Sequence, residues 1–283
     1  MKVFYHNDMD GHCAAAVVAK YFNNYDRKDY IESDYMTKPD ISLVDDRDIV
    51  YFVDYSFTDK TIDVLYTLLK EKKCRVVWID HHKSSLNCLE QHSDLEQFVN
   101  FKYFLDDKMC GAYLTWLYHY MCEVPDAIKL VDDYDRWQFN LPDTKRFKLG
   151  VDANNNDFDS VMWTKLLNYD DTELNRVINA GTPVFDYIEN NNTYYLNSFG
   201  FETEITGIKC IAVNYKTNSW IFGDNYYKYP LCCVFAFNGK KWSYSIYSNC
   251  DDIDCSKIAE SFGGGGHKGA AGFSTDKLIF TED

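Results

Sequence analysis

Three short apolar runs in the first half of the chain each end in a cluster of Asp and His, and this pattern constrains the fold more than any other feature. Lys2 to Tyr5 is followed by His6, Asp8 and Asp10. Ile49 to Val53 is followed by Asp54, and Arg75 to Ile79 by Asp80, His81 and His82. Helical patterns separate the runs. Ala14 to Phe22 reads as a helix, and a second, capped near Thr58 or Asp59, places Ile62, Leu65, Leu68 and Leu69 on one face. Strands alternating with helices predict a parallel α/β sheet. In an open sheet of that kind, ligands bind at the carboxyl ends of the strands.

A helix is predicted from Ala112 to about Met121, and a fourth acidic cluster, Asp132, Asp133 and Asp135, follows the apolar run Ala127 to Val131. The Asn- and Asp-rich stretch Val151 to Asp159 reads as loop. Helical pattern returns near Thr172 and again after Pro183. From about Glu202 the texture becomes β, with strands at Ile205 to Val213, Leu231 to Phe237 and Trp242 to Tyr247. The turn Asn238-Gly239-Lys240 joins the last two. A helix from Cys255 to Phe262 leads into four glycines. The expected domains are 1–170, a helical connector 171–201, and a smaller α/β domain 202–283, with the active site in the cleft between the domains.

Singly, each acidic cluster has a plain structural explanation. Asp10 could cap the helix after it, Asp54 could open a turn, and the other two could be solvated loops. Jointly these explanations leave unexplained why every strand end carries candidate ligands. Carboxylates gathered at one sheet edge repel one another unless cations lie among them. Mixed imidazole and carboxylate donors suit Mn²⁺, Fe²⁺ or Co²⁺ better than Mg²⁺. A binuclear site of this kind serves phosphoryl hydrolysis.

With 29 Lys and Arg against 44 Asp and Glu, the net charge is -15. That balance argues against coating duplex DNA or an anionic membrane and favours a small or threaded substrate. Neither a signal peptide nor a membrane span is evident in the sequence, and the location expected is cytoplasmic. The ten cysteines include one adjacent pair, Cys232 and Cys233, and no Cys-x-x-Cys, so free thiols are expected. The run Gly263-Gly264-Gly265-Gly266-His267-Lys268-Gly269-Ala270-Ala271-Gly272-Phe273 follows a helix and lacks a Walker ending. Its glycines, with His267 and Lys268, suit an anion clamp. A helix cap at Gly263 explains one glycine of the run.

Together these motifs resemble the DHH phosphoesterase family, named for the triplet found here as Asp80-His81-His82. His6 to Gly11, Val53 to Ser56 and Asp132 to Trp137 match further motifs of its catalytic domain, and the glycine run matches its associated C-terminal domain. Within the family the likeness is to the oligoribonuclease (nanoRNase) type. The resemblance implies a metal-dependent exonuclease with two divalent ions, Mn²⁺ foremost and Mg²⁺ or Co²⁺ as alternatives. His6 and Asp8 would hold one ion and Asp10, His81 and Asp133 the other, with Asp54 bridging and water as nucleophile. Asp132 and Asp135 are alternatives to Asp133. His82 would contact the scissile phosphate, and Asp80 would orient a histidine. Arg136, Gly264, Gly265, Gly266, His267 and Lys268 would contact substrate. The substrate implied is short single-stranded RNA or a linear dinucleotide, cut to nucleoside monophosphates. Alternatives are a cyclic dinucleotide, phosphoadenosine phosphate, or a nucleotide sensor without catalysis. The oligomeric state stays open, a homodimer included.

Overall fold

The computed structural model describes residues 1–34 and 37–280, so the last three positions of segment 202–283 lie outside the described residues. The chain forms two compact units, Met1–Phe185 and Asp186–Asp283. In chain order the elements are β1 (Lys2–His6), α1 (Met9–Phe22), β2 (Tyr30–Ser33), β3 (Ile49–Val53), α2 (Asp63–Tyr66), β4 (Arg75–Asp80), α3 (Lys83–Gln91), β5 (Phe101–Leu105), α4 (Gly111–Tyr120), α5 (Asp126–Asp135), α6 (Thr144–Asp152), α7 (Val161–Leu166) and α8 (Asp171–Phe199). There follow β6 (Gly200–Ile205), β7 (Ile208–Asn214), β8 (Leu231–Phe237), β9 (Trp242–Tyr247), α9 (Cys255–Ser261), β10 (Gly265–His267) and β11 (Ala270–Thr275).

The first unit is built on a five-stranded sheet in the order β2-β1-β3-β4-β5, and every pairing is parallel. Successive side chains of a strand point to opposite faces, and here both faces are apolar. Val3, Tyr5, Tyr51, Val53, Val77 and Ile79 enter one core with α1 and α4. Phe4, Val50, Phe52, Val76 and Trp78 enter another with Leu65, Leu68 and Leu89. This is the burial expected of a parallel sheet covered on both sides. Trp78 is fully buried, and its indole N–H donates to the carbonyl of Tyr55 at 2.8 Å.

Helix α1 starts at Met9, five residues before the predicted start, because Asp8 caps it. The Asp8 carboxylate accepts from the Gly11 N–H at 2.9 Å, so Asp8, and not Asp10, is the N-cap. Its small residues, Cys13 to Ala19, are buried. The fourth acidic cluster lies inside helix α5 and not in a loop. The predicted loop 151–159 begins within α6, and the two predicted helical stretches around Pro183 are one helix, α8. Pro183 lacks the N–H that would reach the Asn179 carbonyl, and the helix tolerates that one lost bond.

The second unit holds a six-stranded mixed sheet in the order β10-β11-β9-β8-β7-β6, parallel only between β7 and β8. The single strand predicted over Ile205 to Val213 is interrupted by the turn Thr206-Gly207, both at positive φ, which folds β6 back on β7. Cys233 and Cys232 enter cores on opposite faces of β8, so these neighbours cannot pair with each other. All ten cysteines are free thiols. Among the described residues no helix is long and apolar enough to cross a membrane.

Candidate metal centre

The carboxyl ends of β1, β3 and β4 place their clusters side by side, as the parallel order requires. His6 Nδ1 lies 3.0 Å from Asp8 Oδ2 and 4.0 Å from Asp54 Oδ2. The other oxygen of Asp54, Oδ1, lies 3.3 Å from His81 Nε2 and 4.0 Å from His82 Nδ1. His81 Nε2 is in turn 3.8 Å from Asp10 Oδ2 and 3.4 Å from Asp135 Oδ2. Among the described residues three overlapping donor groups result: His6–Asp8–Asp54 and Asp10–His81–Asp135 on the two sides of Asp54, and Asp54–Asp80–His81–His82 between them. One oxygen of Asp54 faces each of the first two.

Backbone geometry holds this arrangement. Asp54 has φ 49, a left-handed conformation that Asp accepts more readily than most residues. Asp10 accepts from the first N–H groups of α4: Gly111 N at 2.6 Å and Ala112 N at 2.8 Å. A helix N-terminus leaves such donors without intrahelical partners, and its dipole favours an anion. Gly111 is required by proximity, since a Cβ there would stand 2.6 Å from the Asp54 Cβ.

Asp80 is fully buried and fully engaged. It accepts from His82 Nδ1 at 2.8 Å and from the Ser85 hydroxyl, and so fixes the orientation of the His82 ring. Ser85 also meets Ser56 at 3.0 Å, joining α3 to the segment after Asp54. Burial works against the Asp80 carboxylate, but the hydrogen bonds from His82 and Ser85 and the charges of His82 and His81 together outweigh it, and its pKa falls below the usual range. Burial likewise opposes the charged form of His82, and the bond to Asp80 together with the charges of Asp80, Asp10 and Asp8 outweighs it, so the His82 pKa is raised.

Asp133 is not brought to this cluster. Its carboxylate accepts from Asn140 N at 2.8 Å, Leu141 N at 3.1 Å and the Thr144 hydroxyl, fixing the turn into α6. Two residues along a helix turn a side chain by roughly 200°, so Asp133 and Asp135 of α5 cannot face one site. Asp135 stands where Asp133 was expected. Asp132 anchors Cys110 N at 2.7 Å and holds Arg136, Nε to Oδ1 at 3.0 Å and Nη2 to Oδ2 at 2.8 Å. Arg136 is thus committed to a carboxylate. The helical period of α5 could have singled out Asp135; the anchoring by Cys110, Gly111 and Ala112 left no signal in the sequence.

The donor groups fit divalent ions. Asp135 Oδ2 is buried and has no hydrogen-bond donor among the described residues. Burial, and then the neighbouring carboxylates, raise Asp54 and Asp135 well above the usual range. Burial also raises Asp10, partly offset by His81. Such crowding is relieved by bound cations.

In the second unit, Gly263 caps α9 at φ 75, its N–H bonded to the Glu260 carbonyl at 2.9 Å. Gly265 and His267 pair with β11 in a hairpin, and His267 and Lys268 are exposed. A Cβ on Gly264 would stand 2.2 Å from the Gly272 carbonyl oxygen, so this glycine serves strand packing. His12 is buried edge-on against Tyr5, and His119 packs on Tyr21.

Residues 1–129 match the DHH family, N-terminal domain. A pGpG-specific phosphodiesterase, PggH from Vibrio cholerae, shares its fold with a TM-score of 0.61 at 14% identity, covering 97% of this chain and 93% of that one. RecJ from Thermus thermophilus, in complex with Mn²⁺, superposes with a TM-score of 0.51 at 14% identity over 99% of this chain and 50% of its own. The uncharacterized protein R106 of Acanthamoeba polyphaga mimivirus is 26% identical over 211 residues, 69% of this chain and 47% of that protein. The match therefore spans about half the length of this curated relative.

Proposed function

We propose that the chain is a phosphodiesterase that hydrolyses short oligoribonucleotides or linear dinucleotides to nucleoside monophosphates with two divalent ions. The observation that carries this reading is Asp54, whose two oxygens face two separate donor groups. His6, Asp8 and Asp54 would hold one ion; Asp10, His81, Asp135 and Asp54 would hold the other. Bound there, the ions supply an activated water nucleophile and neutralise charge on the phosphoryl oxygens. Mn²⁺ is the ion in the RecJ structure, and the mixed imidazole and carboxylate set suits it.

The protein's own part is positioning and charge. Asp80 accepts from His82 Nδ1, which leaves Nε2 as the nitrogen for substrate. With its pKa raised, His82 favours the imidazolium, suited to charge developing on a phosphoryl oxygen. The exposed His267 and Lys268 are proposed as substrate contacts of the second unit. The dinucleotide reading is supported by the name of the Vibrio relative and by the acidic charge, which disfavours long polyanions.

The test is incubation with Mn²⁺ and a 5′-labelled RNA dinucleotide, beside a pentanucleotide and a longer strand. The reading predicts rapid release of mononucleotide from the dinucleotide and its loss in Asp54→Asn. Equal rates on a long single strand would contradict the substrate, and no cleavage of any strand would contradict the activity.

A further inference from the structure

A second group of ligating side chains lies outside the DHH centre. Asp59 lies between β3 and α2, Cys88 on α3, and His92 just past its end. Cys88 and His92 are four residues apart, so a helical turn sets them on one side. A carboxylate oxygen, Sγ and a ring nitrogen, one from each residue, all fall within 4.8 Å of one another. His92 Nε2 is 3.9 Å from Asp59 Oδ1. Cys88 is buried, His92 half-buried and Asp59 exposed.

Hydrogen bonds fix the orientation of His92. The Tyr66 hydroxyl lies 2.6 Å from Asp94 Oδ1 and 3.3 Å from His92 Nδ1. A carboxylate only accepts, so the phenol proton goes to Asp94 and Nδ1–H must donate to the phenol oxygen. In the neutral imidazole, Nε2 then carries the lone pair. It faces the Asp59 carboxylate, with the Cys88 sulfur in the same group, an arrangement that favours a cation among them. Metal-ligating histidines are commonly held in this way through the other ring nitrogen.

We propose that Asp59, Cys88 and His92 bind a zinc ion, with water as the fourth ligand, at a site separate from the DHH centre. A sulfur, nitrogen and oxygen set suits Zn²⁺ and not the harder ions of an oxygen-rich site. Tetrahedral zinc sets its ligand atoms about 3.3–3.6 Å apart, so from separations within 4.8 Å the group closes by at most about 1.2–1.5 Å, and exposed Asp59 can supply the movement. Zinc takes the place of the Cys88 thiol proton, which leaves to solvent. Burial and Asp59 raise that thiol to about 11, so without the metal it stays protonated. The ion would join the segment after Asp54 to the far end of α3, the helix that His82 begins. The bonds of Ser56 to Ser84 and Ser85 join the same two segments at the near end.

The test uses the full chain loaded with Co²⁺, read by the near-ultraviolet thiolate-to-cobalt band, together with zinc content by elemental analysis. The wild type shows the band, and Cys88→Ser loses it with one equivalent of zinc. Asp54→Asn, which disables the DHH centre, keeps both. His92→Ala covers the case in which the buried serine disturbs folding, and it weakens zinc binding tenfold or more. An undiminished band and zinc content in Cys88→Ser or His92→Ala, or loss of the band in Asp54→Asn, would overturn the proposal.

Discussion

Two aspartates two positions apart in α5 have opposite jobs, and substitution separates them. Asp133→Asn weakens the acceptor for Asn140, Leu141 and Thr144, and should destabilise the fold by about 1–3 kcal/mol while leaving Mn²⁺ binding intact in the folded protein. Asp135→Asn removes a proposed ligand, so Mn²⁺ affinity should collapse with little change in stability. Chemical denaturation and Mn²⁺ titration on both variants distinguish the two. His119 gives a pH effect outside the metal centre. Burial lowers its pKa from 6.5 to about 4, and its Nε2 has no hydrogen-bond partner among the described residues. As pH falls, the unfolded chain takes up this proton first, so stability is lost between about 6.5 and about 4 and levels off below. The loss is on the order of 2–3 kcal/mol. His119→Phe, set among Tyr21, Phe22 and Tyr51, should flatten the stability profile across that window, as urea midpoints taken at several pH values would show.

At the scale of elements, the join between α4 and the end of β3 is the most sensitive point. Gly111→Ala would set a methyl group against Asp54 and displace the donor to Asp10, so it should cost about 1–3 kcal/mol and impair Mn²⁺ binding as well. A variant that binds Mn²⁺ normally in a titration would contradict this reading of the join. β3, β8 and β9 were legible to the residue, because an uninterrupted apolar run in β3 and β8, and the alternation Trp-Ser-Tyr-Ser-Ile in β9, each have one good placement in a sheet. β2 and β5 were not. Tyr-Ile-Glu-Ser and Phe-Lys-Tyr-Phe-Leu are edge strands, and their mixed composition comes from pairing on one side only. Helix α5 was missed because its apolar run looks like a strand until Asp132 and Asp135 are seen to share a helical face. The candidate donors were legible wherever they follow a strand. On α5 the sequence offered Asp133 with Asp132 and Asp135 as alternatives, because tertiary packing decides which carboxylate of a helix faces His81, and here it is Asp135.

At the scale of the whole molecule, an acidic chain of net charge -15 gathers Asp8, Asp10, Asp54 and Asp135 at one sheet edge, so divalent cations should stabilise the folded state. At a hundred times the dissociation constant, one bound ion adds about 2.7 kcal/mol. Mn²⁺ should therefore raise the thermal midpoint of the wild type, measured by calorimetry, and raise it far less in Asp54→Asn. The central claim is that Asp54 is shared by two ions. Electron paramagnetic resonance of the protein titrated with Mn²⁺ tests it most directly. The account predicts a spin-coupled manganese pair at two equivalents in the wild type, and its loss in Asp54→Asn. Spectra of isolated Mn²⁺ alone, at saturation and in the wild type, would contradict it.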